Sequence, residues 1–391
     1  MKIPSGYASG YEAARARDPL LADAYIRHTT IGDPLSDKVV DELAAQVAPA
    51  QVHHVIGAAI DRHDRLTDDT PPSLRDLIGS VSVVPAWFDR DLAMAGTRAF
   101  FRDAESVLSA LAMASLVEGF STLISKSFRI RSRIATNGVR RLKQNMLQLV
   151  EQFMPGGLEP GGDGWKLSLR IRLVHAQSRK LIRKAGGEWD PETYGMPLSA
   201  AHMLLGAAAF SGRLMHHVDR IGGAFSTRER EAYVHVWRWT GLIMGIPDSI
   251  MFHDEASALR TFEVGALCEP PPDEDAIIMA NSIINSTPLV LGHRHPAERR
   301  AQARIYFQGS RELIGDDLAN RFKFPAAWPL PLLPWLRLKH RAFRMASRVP
   351  LLRPIVRRRT FRTVLDVSNL NRLDHSYSLP TSLYDDQSLE W

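Results

Sequence analysis

Apolar residues recur along most of the chain at intervals of three and four, the spacing that places them on one side of an α-helix. Runs in which β-branched or aromatic residues alternate with polar ones, which are typical of strands, are nearly absent. The pattern therefore predicts an all-α protein. Predicted helices cover residues 39–47, 51–62, 93–101, 105–125, 139–153, 166–184, 199–221, 228–244, 256–267, 275–284 and 296–309.

Several helix ends carry residues with a defined physical role. Ser226, with Glu229 three positions later, forms the capping-box pattern, and Ser199 can accept a hydrogen bond from the first amides of the next helix. The glycine pairs 186–187 and 222–223 can adopt the left-handed conformation that ends a helix. These signals place helix boundaries near residues 186, 199, 222 and 226.

The distribution of proline and charge divides the chain into three parts. We predict an N-terminal extension over residues 1–30, one large helical domain over 31–325, and a proline-rich basic arm over 326–391. The net charge is +6, yet no acidic residue lies between Asp317 and Asp366, where twelve lysines and arginines occur. Apolar residues interleave with these charges across 328–362. This mixture of basic and apolar residues favours peripheral contact with an anionic membrane over contact with nucleic acid. The alternative is that the arm packs its apolar side on the core.

Cysteine content and the start of the chain bear on compartment. The single cysteine, Cys268, excludes an intramolecular disulfide and a cysteine-based zinc site. Glu12 and Asp18 interrupt the region where a secretory signal would have its apolar run, and the most apolar stretch, 108–125, contains Glu118. We therefore expect a cytoplasmic protein, either free or attached peripherally to the inner face of the membrane.

Familiar hydrolase and dehydrogenase motifs are missing from the sequence. It contains no HExxH, no GxSxG and no GxGxxG after a predicted strand. Nor do two helices carry the paired Glu-x-x-His motif of a di-iron bundle. What remains is histidine-dependent metal or haem chemistry inside a helical bundle, or no chemistry.

Three predicted helices carry candidate site residues. On the helix 166–184, Arg172, His175 and Arg179 share one face, which is either a functional surface or a solvated basic stripe. The helix 199–221 is rich in alanine and glycine, so a flat cofactor or a neighbouring helix can lie against it. His202 on this helix is either an axial haem ligand or a core histidine bonded to a carbonyl. His235 lies among aromatic residues that form a cofactor pocket or plain core.

A series of short motifs resembles the rubber-oxygenase catalytic domain family, which includes latex-clearing proteins and MpaB-type oxygenases. In chain order they are GDPL at 32–35, VPAWFD at 84–89, GTRAF at 96–100, PGGLEPGG at 155–162, RLVHAQSR at 172–179, GMPLS at 195–199, EAYVHVWR at 231–238 and GIP at 245–247. The resemblance implies a globin-like helical core around haem b with a histidine axial ligand. It also implies oxidative cleavage of carbon–carbon double bonds of polyisoprenoid chains with O2.

The resemblance also suggests roles for individual residues. In the latex-clearing branch an arginine, a lysine and a threonine line the distal side of the haem, and these positions match Arg172, His175 and Ala176, so two of the three differ. The axial histidine is carried over to His202, with His175 and His235 as the next candidates. Arg172 and His175 are the expected catalytic residues, and His175, Arg179 and His235 are expected beside the cofactor.

The expected function is that of a haem b-dependent oxygenase acting with O2 on a hydrophobic small molecule, either isoprenoid or lipid-like. Two alternatives stay open: a haem-free helical protein that binds a hydrophobic ligand or a membrane surface, and an oxidase that modifies a small natural product. The sequence indicates neither the substrate nor the oligomeric state.

Overall fold

A computed structural model of the chain describes residues 1–131, 134–351 and 354. Every regular element within these residues is a helix, which confirms the all-α prediction. The helices are α1 Ala8–Arg17, α2 Pro19–His28, α3 Pro34–Gln46, α4 Pro49–Asp61, α5 Pro72–Ser80, α6 Arg90–Arg102, α7 Ala104–Ala110, α8 Leu116–Gly119, α9 Ile124–Arg131, α10 Ile134–Phe153, α11 Asp163–Ala185, α12 Pro191–Tyr194, α13 Ala200–Phe210, α14 Gly212–Arg220, α15 Thr227–Ile243, α16 Glu255–Cys268, α17 Glu274–Val290, α18 Pro296–Ile314, α19 Asp316–Arg321 and α20 Leu333–Arg348.

The centre of the protein is the continuous, mostly buried segment formed by α7, a π-helical turn Leu111–Ser115, and α8. Most of its side chains are apolar, with Ser115 and Glu118 among the exceptions, because α13, α14, α17 and α18 surround it. The helix predicted over 105–125 is therefore interrupted. It widens at the π turn and ends at Gly119, and α9 starts a new direction at Ile124.

The helix predicted over 199–221 is also two helices. Ser211, with φ −108° and ψ −101°, breaks the hydrogen-bonded ladder between α13 and α14. The break lets α14 lie close against α16, where a Cβ on Gly212 would stand 2.9 Å from the Ala258 Cβ. This close approach explains part of the small-residue content of the segment.

Pairs of longer helices enclose the central segment. α10 packs against α17 and α11, α6 against α15, and α11 against α3. Residues 1–30, which the sequence assigned to an extension, form α1 and α2, and both pack on α16. Tyr7 and Tyr25 from this region are fully buried in the common core. The N-terminal helices therefore help to support the same interior as the rest of the chain.

The predicted helix ends are confirmed where local chemistry determined them. Ser226 and Glu229 form a reciprocal capping box at α15, and Ser199 caps α13. Gly186 and Gly222 have φ of 64° and 92°, in the left-handed region. Among the described helices, none is by itself long and apolar enough to cross a membrane. One pair, Ala104–Gly119 with Ile124–Ile130, meets both criteria together but is bent by 87°.

Candidate functional site

A cavity in the described part of the chain lies between the central segment and helices α9, α10, α11, α13 and α15. It encloses about 1350 Å³ of space free of protein atoms, including the space at its mouth. Most of its wall is apolar and includes the aromatic side chains of Phe120, Phe128, Phe210 and Trp237. A concave, mainly apolar space with a few polar groups is the usual form of a small-molecule or cofactor site.

Two features of the wall point to a ligand. Gly206 of α13 lines the cavity, and a Cβ added there would meet nothing within 4 Å, so protein packing does not require this glycine. Ser115, at the end of the π turn, also lines the cavity. Its hydroxyl is buried and has no hydrogen-bond partner among the described residues. An open backbone surface beside an unsatisfied hydroxyl is suited to a flat group that fills the space and accepts or donates one hydrogen bond.

Positive charge borders the cavity on α10. Arg140 and Arg141 both line it, and the Arg141 guanidinium lies 4.3 Å from the centre of the Phe128 ring. Gln144 and Gln148 follow one and two turns later on the same helix, and the Gln148 amide donates to the Met244 sulfur at 3.4 Å. This side of the cavity can therefore accommodate the acidic groups of an otherwise apolar ligand.

His175 of α11 is one of two sequence-predicted residues that line the cavity, the other being His202. His175 is partly exposed and lines the wall together with Ile171 and Val174 of the same helix. An imidazole in an apolar wall can ligate a metal centre or exchange a proton with a bound molecule. Arg172 and Arg179, predicted on the same face, do not line the cavity.

Arg172 instead forms a buried ion pair with Asp33. Its Nε donates to Asp33 Oδ2 at 2.5 Å, its Nη2 donates to Asp33 Oδ1 at 2.9 Å, and its Nη1 donates to the Ile243 carbonyl at 3.2 Å. Burial alone would raise the pKa of Asp33, but the hydrogen bonds and charge of Arg172 outweigh it and lower the pKa. The pair thus ties α3 and α11 to the end of α15, where Met244 and Ile246 form part of the cavity wall.

Gly245 lies against this ion pair and has φ of 88°. A Cβ there would stand 2.3 Å from Asp33 Oδ2 and 2.7 Å from Arg172 Nε. The turn that carries two cavity residues therefore requires glycine for both its conformation and its close approach to the ion pair.

Arg179 has an equally structural set of partners. It donates through Nε to Asp37 at 2.9 Å, through Nη1 to the Leu198 carbonyl at 3.0 Å, and through Nη2 to Ser36 Oγ at 3.2 Å. Its side chain is 3% exposed, faces α3 and does not line the cavity. It positions the loop before α13 relative to α3.

His202 lies at the cavity wall but both of its ring nitrogens face protein groups. Nδ1 accepts a hydrogen bond from the Ser199 backbone N–H at 3.2 Å, which puts the proton on Nε2. Nε2 then donates to the Tyr7 hydroxyl at 3.0 Å, with Glu269 Oε1 at 3.4 Å. The predicted axial role would require this imidazole to leave both partners.

The carboxylate of Glu269 extends the network around His202. Its Oε1 accepts from the Tyr25 hydroxyl at 2.7 Å, and its Oε2 accepts from the Leu123 backbone N–H at 2.9 Å. Burial, and after it the charge of Glu269, raise the pKa of both Tyr7 and Tyr25, so both phenols stay protonated. The network joins the N-terminal helices to α13, α16 and the loop before α9.

His235 is part of a surface cluster rather than of the cavity. Its Nε2 accepts a hydrogen bond from the Asp89 backbone N–H at 2.9 Å, and its ring stacks on Phe88 with 4.9 Å between centroids. Burial is the main reason that the pKa of His235 is lowered, which favours the neutral ring that this bond needs. The histidine holds the loop before α6 against α15.

Sequence reasoning did not single out Ser115, Arg140 or Arg141 as site residues. They lie on the central segment and on α10, which meet α11 and α13 only through tertiary packing. Gly206 and its alanine neighbours were the useful signal, because their small size predicted that another body lies against α13. Among the described residues, no group of three or more His, Cys, Asp or Glu side chains is arranged to hold a bare metal ion.

Comparison with known proteins places these features in context. The family model described as the catalytic domain of the ER-bound oxygenase mpaB/B′ and rubber oxygenase matches residues 98–349. A solved structure of latex clearing protein in the closed state superposes with a TM-score of 0.68 at 16% sequence identity, covering 86% of this chain and 91% of that one. No curated protein sequence matches the chain.

Proposed function

We propose that this chain, which belongs to the family of mpaB and rubber-oxygenase catalytic domains, holds haem b in the cavity beside α13 and oxidises a hydrophobic small molecule with O2. The family is one of oxygenases. The observation that carries the proposal is the open surface at Gly206, in a mainly apolar cavity that is also lined by two histidines and two arginines. Bound haem would supply the iron at which O2 is activated.

The residues present fit haem in three respects. The Gly206 backbone leaves room for a flat ring, the Ser115 hydroxyl lacks a protein partner among the described residues, and Arg140 with Arg141 can pair with two carboxylates. Haem iron needs only one protein ligand, so a metal-binding cluster of side chains is not required.

We assign iron ligation to His175 and not to His202. Both histidines line the cavity, but the ring nitrogens of His202 are directed at Ser199 and Tyr7, and each of these contacts would be lost on ligation. A ligand role for His202 would leave a buried amide and a buried phenol without their partners, each at a cost of about 1–3 kcal/mol. His202 serves in this assignment to hold the N-terminal helices against α13.

The remaining residues of the cavity determine which substrate can enter. The aromatic wall excludes water and favours an apolar chain, as in an isoprenoid or lipid-like molecule. Gln144 and Gln148 can bind a single polar end group. Arg172 affects the cavity indirectly, because its ion pair with Asp33 holds the turn that carries the wall residues Met244 and Ile246.

Absorption spectroscopy of the purified chain, expressed with haem supply, tests this proposal. We expect a Soret band in the wild type and in His202→Gln, and its loss or displacement in His175→Ala. Gly206→Leu should abolish haem uptake because the added side chain fills the open surface. Gly57→Leu is the matched control, since Gly57 is also a partly exposed helical glycine with nothing within 4 Å of a Cβ.

Three results would contradict parts of the proposal. A wild type without haem would leave an apolar-ligand protein as the function. Full haem uptake by Gly206→Leu would place the cofactor elsewhere. A Soret band that is lost in a folded His202→Gln variant and unchanged in His175→Ala would return the axial role to His202.

A further inference from the structure

The helix α20 presents an apolar stripe to solvent. Trp335, Leu338 and Met345 have 56%, 65% and 63% of their surface exposed, and Val349 just after the helix has 42%. Together with exposed Ala342 they occur at intervals of three, four, three and four, so they lie on one side of the helix. We call these five residues the outer stripe.

The outer stripe is held in place by the other side of the same helix. Leu333, Leu336 and His340 are buried against the core. Glu312 accepts hydrogen bonds from the backbone N–H groups of Leu332 and Leu333 at 2.6 and 2.9 Å, which fixes the start of α20. The helix is therefore docked, and the exposure of the outer stripe is not a result of a detached segment.

Further contacts hold the middle of α20. His340 Nδ1 lies 3.0 Å from the Ile221 carbonyl, and Arg337 Nε donates to the Arg220 carbonyl at 2.8 Å. Lys339 donates to Glu105 at 2.9 Å. A surface helix with one apolar side normally turns that side inward, whereas α20 has a second one that faces out.

The charge around the outer stripe is positive. Arg341 and Arg348 are exposed on α20, and no acidic residue occurs between Asp317 and Asp366. Exposed Leu330 and Leu351, at 78% and 86%, extend the apolar surface beyond both ends of the helix. An apolar stripe bordered by arginines is complementary to a bilayer with anionic headgroups, where the side chains enter the acyl boundary and the guanidinium groups meet phosphates.

A second copy of the chain fits this surface less well. Two outer stripes packed against each other would bring arginines of the same sign together without acidic partners on the helix, which disfavours association. A nucleic acid would satisfy the arginines but leave the leucine and methionine side chains in water.

We propose that α20 docks the protein on the surface of an anionic lipid bilayer, with Trp335, Leu338 and Met345 entering the interface and Arg341 and Arg348 contacting the headgroups. The helix lies in the plane of the bilayer because its start and its inner side are attached to the core. This inference is independent of the cofactor in the cavity.

Sedimentation of the full chain with extruded vesicles tests the docking. We expect binding to phosphatidylcholine vesicles that contain phosphatidylserine, and at least about tenfold weaker binding to phosphatidylcholine alone or at high salt. Leu338→Asp with Met345→Asp should weaken binding at least about tenfold, and Arg341→Glu with Arg348→Glu should abolish the preference for anionic lipid.

The matched control is Leu20→Asp with Val83→Asp, because these side chains are 81% and 77% exposed on other surfaces. Thermal unfolding checks that all variants fold. The proposal is overturned if the wild type ignores anionic vesicles, or if the stripe variant binds like the control. It is also overturned if sedimentation equilibrium shows a dimer that only the stripe variant dissociates, without vesicle binding.

Discussion

The ion pair between Arg172 and Asp33 allows the sharpest test of the cavity's construction. Replacing Arg172 by methionine retains most of the side-chain volume but leaves the Asp33 carboxylate buried without its guanidinium partner. Breaking one side of a buried pair costs about 3–5 kcal/mol in the free energy of unfolding. For a chain of 391 residues this corresponds to a decrease in Tm of about 5 °C, if the unfolding entropy scales with length.

Arg172→Met combined with Asp33→Asn should recover most of that loss. Asparagine preserves the hydrogen-bonding group that caps α3 but carries no charge, so no unpaired carboxylate remains buried. Arg170→Met is the control, because Arg170 lies on the same helix, is 39% exposed at its side chain and approaches Asp61 only at 3.9 Å. Its loss should cost under about 1 kcal/mol.

Urea denaturation of the four proteins at neutral pH measures these differences. The reasoning would be refuted if Arg172→Met were as stable as Arg170→Met, or if the double variant were no more stable than the single one. If the wild type takes up haem as proposed, a double variant that is stable, takes up haem equally and yet loses all turnover would assign Arg172 a direct role in chemistry.

Two further predictions concern buried charge and backbone conformation. Burial alone would raise the pKa of Glu118, but the charge of His217 and the hydrogen bonds from Arg213 lower it to about 2. The ionised Glu118 therefore stabilises the fold fully above its unfolded-state pKa near 4.5, and this stabilisation is lost as the pH falls toward 2. Denaturation at pH 7, 5 and 3 should show that Glu118→Gln is less stable than the wild type at pH 7 and loses less stability on acidification. The difference between the two losses should be on the order of 3 kcal/mol over the whole transition. Equal losses in both proteins would contradict this prediction. Gly245→Ala should destabilise the chain by at least about 2 kcal/mol more than Gly292→Ala in the same assay. Both glycines have a similar positive φ, 88° and 86°, but only a Cβ on residue 245 would collide with the ion pair of Asp33 and Arg172.

Local signals account for the features that the sequence predicted well. Helical periodicity, the Ser226–Glu229 capping box and the glycine at 186 act within a few residues, so they can be recognised without knowledge of the fold. The helices α1, α2 and α5 were not predicted, although Asp18 followed by Pro19 is a recognisable start for α2. The apolar residues of α1 and α2 become part of the core because α16 provides a surface for them, and those of α5 because α3 does.

The site residues show where sequence reasoning ends. His175 was predicted and lies in the cavity, but Arg172 and Arg179 share its helix and face α3 instead. A helical face is wide enough for neighbouring positions to meet different partners, and only packing decides which ones.

By itself, the sequence determined the helical class, many of the helix ends and the family to which the catalytic domain belongs, because these depend on periodicity, capping and ordered motifs. Tertiary structure alone decided the partners of the charged and aromatic side chains. Asp33 meets Arg172 across 139 residues, and Tyr7 meets His202 across 195. Burial makes such pairings specific, since a charge or a histidine removed from water must find its partner wherever the fold brings one within reach.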